Sequence, residues 1–179
     1  IKVVPRGAGT GLSGGALPLK DCVLVGLGKF NKILETDFEN RCVVTQPGVT
    51  NLAITGAVQH EGFYYAPDPS SQLACSIGGN ISTNAGGVHS LKYGVTTNNV
   101  LGVEMVLIDG TIIRLGGKNL DPEGYDLLGI ITGSEGLLGV ITEITVRILK
   151  KPQSVRAVLI GFNTNDDAGN CVADIISSG

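Results

Sequence analysis

The stretch PRGAGTGLSGGALP, from Pro5 to Pro18, constrains this chain more than any other. Gly7, Gly9, Gly11, Gly14 and Gly15 alternate there with Arg6, Thr10 and Ser13, a composition that suits neither a helix nor a strand interior. Backbone without Cβ can approach a ligand closely and adopt φ > 0, so its N–H groups can wrap a phosphate. A second stretch, CSIGGNISTNAGG from Cys75 to Gly87, repeats that chemistry. One such segment is a weak signal. Two in a short chain point to a large phosphorylated cofactor.

Gly9, Gly11 and Gly14 satisfy GxGxxG, so a Rossmann dinucleotide site is weighed first. That fingerprint needs a helix directly after the loop and an acidic residue about 20 positions on. Here Ala16-Leu17-Pro18-Leu19 follows, and Pro18 obstructs the first turns of a helix unless it opens one. The run Cys22 to Leu27 begins too soon for a crossover helix, and Gly28-Lys29 stands where the ribose-binding acid belongs. A flexible surface loop is the plainer alternative, but such linkers rarely interleave Arg, Thr and Leu.

At 179 residues with 42% hydrophobic content, the chain can build one or two small domains with real cores. A net charge of −3 without a basic cluster argues against nucleic acid as a partner. No apolar run approaches a bilayer span and no signal peptide is visible. The chain opens on Ile1 rather than Met and reads as a fragment, which leaves a targeting segment upstream open. Cys22, Cys42, Cys75 and Cys171 are scattered without a CxxC pair and read as buried reduced thiols. His60 and His89 are too isolated to build a metal site, so no metal is expected on this chain.

Ile1 to Val4 and Cys22 to Leu27 read as strands around the first loop. Lys32–Thr36 and Arg41–Gln46 flank Asp37-Phe38-Glu39-Asn40 as a hairpin. Thr50 is the expected N-cap of a helix reaching His60, with Gly62 as terminator. Phe63 to Gly87 reads as loop. Asp109-Gly110 predicts a two-residue hairpin between Gly102–Ile108 and Thr111–Leu115. Tyr125 to Ile131 reads as a short helix. Val140 to Leu149 alternates, with Val140, Thr142, Ile144, Val146 and Ile148 sharing one face. After Lys150-Lys151-Pro152, a strand over Arg156–Phe162 and a helix over Asp166–Ser178 open a further unit.

PRGAGTGLSGG, QPGV at Gln46–Val49, APDPSS at Ala66–Ser71, SIGGNISTNAGG, KYG at Lys92–Gly94 and TGSEGLLGVIT at Thr132–Thr142 occur in that order. Together they resemble the FAD-binding domain of the vanillyl-alcohol oxidase/p-cresol methylhydroxylase type. Within it they look most like the branch of glycolate oxidase flavoprotein subunits and D-lactate and D-2-hydroxyglutarate dehydrogenases. The resemblance implies an α+β, two-subdomain fold with mixed and antiparallel sheets and flanking helices. It implies an FAD-binding domain over 1–151 and the start of a substrate-binding cap over 152–179.

Carried onto these residues, the resemblance assigns Arg6, Gly7, Ala8, Gly9, Thr10, Gly11, Leu12 and Ser13 to the FAD pyrophosphate. Arg6 either adds charge there or shapes the loop through a salt bridge. Pro67, Asp68 and Ser71 fall near the flavin. Gly78, Gly79, Asn80, Thr83, Asn84, Gly86 and Gly87 cradle ribityl, pyrophosphate and ring edges; a bend that only packs the core is the plainer alternative. Gly136, Val140 and Ile141 meet the adenine end. Tyr93 and Gly94 count with the cofactor residues, although Tyr93, like His89, also reads as a packing residue. Glu135 reads as a loop carboxylate. Some relatives attach FAD through a His in the first loop; Thr10 holds that position here, so non-covalent FAD is expected.

The implied chemistry is oxidation of a 2-hydroxy acid by hydride transfer to flavin. No convincing base or carboxylate-binding cation stands in this chain. In the family these come from the cap, often with a metal held by His and Glu, so the catalytic residues stay unknown and the chain alone would be inactive. An electron acceptor or partner subunit is implied. So is a cytoplasmic location, with any membrane association through a partner, or a mitochondrial one in a eukaryote. Alternatives are a same-fold flavoenzyme of the ether-lipid synthase or cell-wall precursor reductase type, a non-catalytic flavin-binding subunit, and an NAD-binding domain.

Overall fold

The computed structural model describes residues 1–15, 17–119 and 124–179. Ala16, which the sequence reading placed just after the first loop, lies outside them. Strand β1 (Lys2–Arg6) and strand β2 (Cys22–Gly26) form a two-stranded parallel sheet, Lys2 opposite Cys22 and Arg6 opposite Gly26. Leu27 N–H donates to the Arg6 carbonyl at 2.9 Å and extends the pairing. Parallel neighbours need a long connection. Here the glycine-rich segment provides it, with no helix among its described residues, which disposes of the Rossmann arrangement.

The hairpin at Asp37–Asn40 forms as expected. Strand β3 (Ile33–Asp37) runs antiparallel to β4 (Cys42–Thr45), and Asp37 accepts from the Asn40 N–H at 2.9 Å to close the turn. Thr50 caps helix α1 (Asn51–Val58), accepting from Ala53 N–H at 3.1 Å. A 3-10 turn over Gln59–Glu61 carries the chain to Gly62, whose left-handed φ of 74° ends it. Strand β5 (Phe63–Tyr64) then precedes helix α2 (Ile77–Thr83) and the one-turn helix α3 (Ser90–Tyr93). The loop expected over Phe63–Gly87 therefore contains a helix. Ile77 and Ile81, one turn apart and fully buried, outweigh the poor helix propensity of the glycines between them.

Strand β6 (Val100–Val106) and β7 (Ile112–Gly116) form a hairpin, helix α4 (Leu127–Ile131) follows, and β8 (Val140–Arg147) completes a five-stranded antiparallel sheet of order β3-β4-β8-β6-β7. Its turn is one residue longer than predicted. Leu107 N–H donates to Thr111 O at 2.9 Å and Gly110 N–H to Leu107 O at 3.0 Å, enclosing Ile108, Asp109 and Gly110. Only Gly110 takes φ > 0, so the two-residue turn that needs positive φ at both centres is not formed.

The strict alternation of β8 is interrupted as well. Glu104 faces Glu143 while Met105 faces Ile141, so Thr142 is an extra residue in a bulge. Ile141 consequently turns into the core with Ile144, Val146 and Ile148. Helices α1 and α2 supply Ile54, Val58, Ile77 and Ile81 to the same cluster. Each such side chain, fully buried, contributes on the order of 2 kcal/mol.

Beyond β9 (Leu149–Lys150), which pairs with β5, the expected strand at Arg156–Phe162 is not formed. No described strand lies beside it, and its apolar residues are exposed. Helix α5 (Asn165–Ser177) does form, capped by Thr164, and buries none of its residues. Cys42 and Cys75 are buried thiols as expected, whereas Cys22 and Cys171 are half-buried.

Lys118, just beyond β7, reaches the opposite edge strand β3 and pairs with Glu35 and Asp37, each at 2.7 Å. Hydrogen bonds from Asn40, then the Lys118 ammonium, hold the Asp37 carboxyl well below the ordinary carboxylate range. A depressed carboxylate stabilises the fold above its unfolded pKa and loses that contribution as pH falls through the folded value. Asp37→Asn is therefore expected to lower the melting temperature at pH 7 and to shrink its drop between pH 5 and pH 2. Parallel drops in parent and variant would refute the link.

Candidate functional site

The two glycine-rich stretches meet face to face. A Cβ on Gly7 would collide with Ser76 Oγ and stand 3.8 Å from the Cα of Gly79, so the first loop passes directly over the start of α2. At the neighbouring position of that helix, a Cβ on Gly78 would come within 2.6 Å of Pro47 Cβ. Gly136, at φ 75°, lies against Pro5. These approaches enclose a cleft of about 320 Å³. Arg6 through Ser13 form one wall, Gly78, Gly79, Asn80, Thr83 and Gly86 the other, and Ser71, Gly136 and Ile141 complete it.

Ser76 opens α2 by accepting from Gly79 N–H at 3.3 Å. At the other end Asn84 takes the left-handed conformation, φ 47°. Gly133 N–H and Glu135 N–H then cap the Ile81 and Ser82 carbonyls, each at 2.7 Å. The Thr132–Thr142 segment is thereby tied to α2, and its Glu135 carboxylate faces the cleft near Gly15. Glu135 itself sits at φ 57°, a conformation that non-glycine residues adopt at a cost of order 1 kcal/mol.

Among the described residues, the backbone N–H groups of Gly7 through Ser13 donate to no backbone or side-chain acceptor. They are solvent-exposed, so this run costs little while empty of partners and is available to an anion. The Arg6 guanidinium folds back beside Gly9; a Cβ there would meet Nη2 at 2.7 Å. An open run of donors, one cation and a glycine surface on both walls suit a dinucleotide with a diphosphate at its centre.

Seven of the expected residues lie off the cleft lining, and each has another task. Asp68 holds the His89 ring, Nδ1 to Oδ2 at 2.6 Å, and Gly87 packs so closely on Asp68 that a Cβ would overlap it. Pro67 accepts from the Asn51 amide at 2.9 Å. Asn84 Oδ1 accepts from Thr97 N–H at 3.0 Å. Gly94, at φ 75°, makes the turn after α3, where a Cβ would overlap Asn98. Tyr93 meets Tyr64 edge-on at 6.0 Å. Val140 opens β8, while its neighbours Gly139 and Ile141 line the cleft. Pro47, Ser76, Ser82, Ala85 and Glu135 line it too, unassigned or discounted in the sequence reading. Ser76 had a usable signal, a capping serine just ahead of an Ile-x-x-x-Ile pair.

The FAD binding domain family matches residues 1–116, and the chain belongs to it. Its relatives are more particular. The chain is 54% identical to glycolate oxidase subunit GlcD of Escherichia coli (strain K12) over its whole length, covering 36% of that protein. It is 43% identical to D-lactate dehydrogenase of Archaeoglobus fulgidus over 98% of the chain and 39% of the relative. A solved alkyldihydroxyacetonephosphate synthase superposes with a TM-score of 0.75 at 26% identity, over 86% of this chain and 30% of that one. The fold is thus the α+β FAD-binding type expected, and the chain spans little more than a third of the curated relatives it matches.

Gly11 is the position that tests the cleft cleanly. Its backbone is ordinary, and a Cβ there meets only Thr83 Cγ2, at 3.9 Å, whereas Gly9 is committed to φ 73°. Gly11→Val is expected to change unfolding free energy by under about 1 kcal/mol while weakening FAD retention at least about tenfold. Full flavin content in the purified variant would place the diphosphate elsewhere.

Proposed function

We propose that the protein carrying this chain oxidises a 2-hydroxy acid to the 2-oxo acid with FAD, this chain supplying the nucleotide site. The observation that carries the reading is the closure of Gly7 onto Ser76 and Gly79 beside an uncommitted run of N–H groups. Residues 1–151 are the FAD-binding domain in this reading, and 152–179 open a substrate-binding cap. The exposed apolar residues of the 155–162 segment and α5 support a covering domain there.

Within the cleft, the Gly7–Ser13 N–H groups and the Thr10 and Ser13 hydroxyls hold the diphosphate, with Arg6 beside them. Glu135 only accepts hydrogen bonds when ionised and suits a sugar hydroxyl instead. Gly78, Gly79 and Gly86 let the ribityl chain lie against main chain. Bound there, FAD supplies the hydride acceptor for the α-carbon of the substrate. The base and the cation for the substrate carboxylate come from outside this chain. The sequence identity to GlcD and the D-lactate dehydrogenase supports the substrate class. GlcD is a subunit of glycolate oxidase, which supports a partner subunit or separate electron acceptor here. A cytoplasmic location is part of this reading and rests on the family resemblance alone. Separately, among the described residues no helix is long and apolar enough to cross a membrane.

The likeness to alkyldihydroxyacetonephosphate synthase favours a second reading, a same-fold enzyme with another substrate. Anaerobic addition of glycolate, D-lactate or D-2-hydroxyglutarate to the full-length protein separates the two. Bleaching of the visible flavin band by one acid is expected; persistence of the band with all three would reject the oxidation. Since Thr10 offers no imidazole for attachment, acid denaturation is also expected to release the flavin into the supernatant. Flavin retained in the precipitate would demonstrate a covalent bond.

A further inference from the structure

Two buried amides lie behind the cleft wall, and one orients the other. Asn51, the first residue of α1, is 2% exposed, and Asn80, inside α2, is 4% exposed. Asn51 Nδ2 donates to the Pro67 carbonyl at 2.9 Å. A proline carbonyl can only accept, so the NH₂ group of Asn51 must face it. Asn51 Oδ1 therefore points the other way, where it accepts from Asn80 Nδ2 at 2.6 Å and from the Cys75 thiol at 3.6 Å.

The NH₂ group of Asn80 is thereby committed, with a further contact to Cys75 Sγ at 3.4 Å. Its Oδ1 is what remains. The buried side-chain atoms that lack a partner among the described residues are the Tyr65 hydroxyl and Arg147 Nε, so Asn80 Oδ1 is not sealed away. Asn80 is one of the residues lining the cleft, and Oδ1 is the polar atom of its side chain left uncommitted for whatever the cleft holds.

We propose that Asn51 is a positioning residue that fixes the polarity of Asn80, so that the cleft receives a hydrogen-bond acceptor at this point and not a donor. The acceptor selects a donor group of the bound nucleotide, a ribityl hydroxyl or a ring N–H, and rejects a phosphate oxygen. This rests on the reading that the cleft holds FAD. Turning Asn80 over would set its oxygen against Asn51 Oδ1. Turning both would set Asn51 Oδ1 against the Pro67 carbonyl. Either arrangement leaves buried polar groups unsatisfied, which is costly.

Substitutions at Asn51 separate positioning from simple support. Asn51→Leu removes both the amide that Pro67 needs and the oxygen that Asn80 needs. Asn51→Asp keeps the oxygen that Asn80 needs and replaces the amide by a second carboxyl oxygen, which can face the Pro67 carbonyl only when protonated. In full-length apoprotein, both variants are expected to unfold at lower temperature. FAD titration is expected to give a dissociation constant raised about tenfold in Asn51→Leu and in Asn80→Leu, and close to the parent in Asn51→Asp. The double variant Asn51→Leu/Asn80→Leu is expected to bind no more weakly than Asn80→Leu alone, because one residue acts through the other.

Equal loss of affinity in Asn51→Asp and Asn51→Leu, additive losses in the double variant, or parent affinity in Asn80→Leu would each overturn the proposal. If Asn51→Leu fails to fold, Asn51→Asp against Asn80→Leu still decides it: retention in the first with loss in the second supports it, and any other pattern overturns it. A parent protein that takes up no FAD at all would remove the cofactor reading itself, and this inference with it.

Discussion

The constraint on which the site depends is the contact of Gly7 with Ser76 and Gly79, where an added methyl group would collide with Ser76 Oγ. Everything at the site follows from it. The contact brings the connection between β1 and β2, two strands of a separate small sheet, onto a helix that belongs to the main core. Ile77 and Ile81 anchor that helix from below, and Gly78 lets it approach Pro47. The donors of Gly7–Ser13 are thus held over a fixed floor, although the loop makes few bonds of its own.

The floor is fixed by polar contacts as much as by packing. Thr96 donates to the Ala85 carbonyl at 2.6 Å, and Asn99 Nδ2 donates to the carbonyls of Tyr93 and Val95 at 3.0 and 2.9 Å. Only short helical turns lie between Asn84 and Asn99, so buried side chains satisfy carbonyls that a sheet ladder would otherwise serve. Asn51 and Asn80 extend the same principle beneath the cleft.

Local signals in the sequence were legible where one residue does one job. Asp37 and Asn40 close a turn, Thr50 caps a helix, and Gly62 ends it, each readable without tertiary knowledge. Helix α2 was illegible because Gly78 and Gly79 speak against helix locally, while the burial that makes it a helix comes from the sheet. The bulge at Thr142 left no mark, since threonine is a good strand residue on either face. The strand expected at Arg156–Phe162 has the composition of one but no neighbour to pair with among the described residues. At the site, the glycine chemistry of both stretches was readable, because a missing side chain signals close approach wherever it occurs. Which object is approached was not: Gly87 and Gly94 make room for Asp68 and Asn98. The capping role of Ser76 is legible locally, but its place under Gly7 and that of Glu135 near Gly15 are not, because those neighbours are distant in sequence.

The two walls of the cleft hang from different sheets, and few bonds cross the gap between them. A nucleotide bridging them would act as mortar. Its binding energy would enter directly into the cohesion of the small β1–β2 sheet. In the ligand-free chain that sheet and its connection carry little burial of their own.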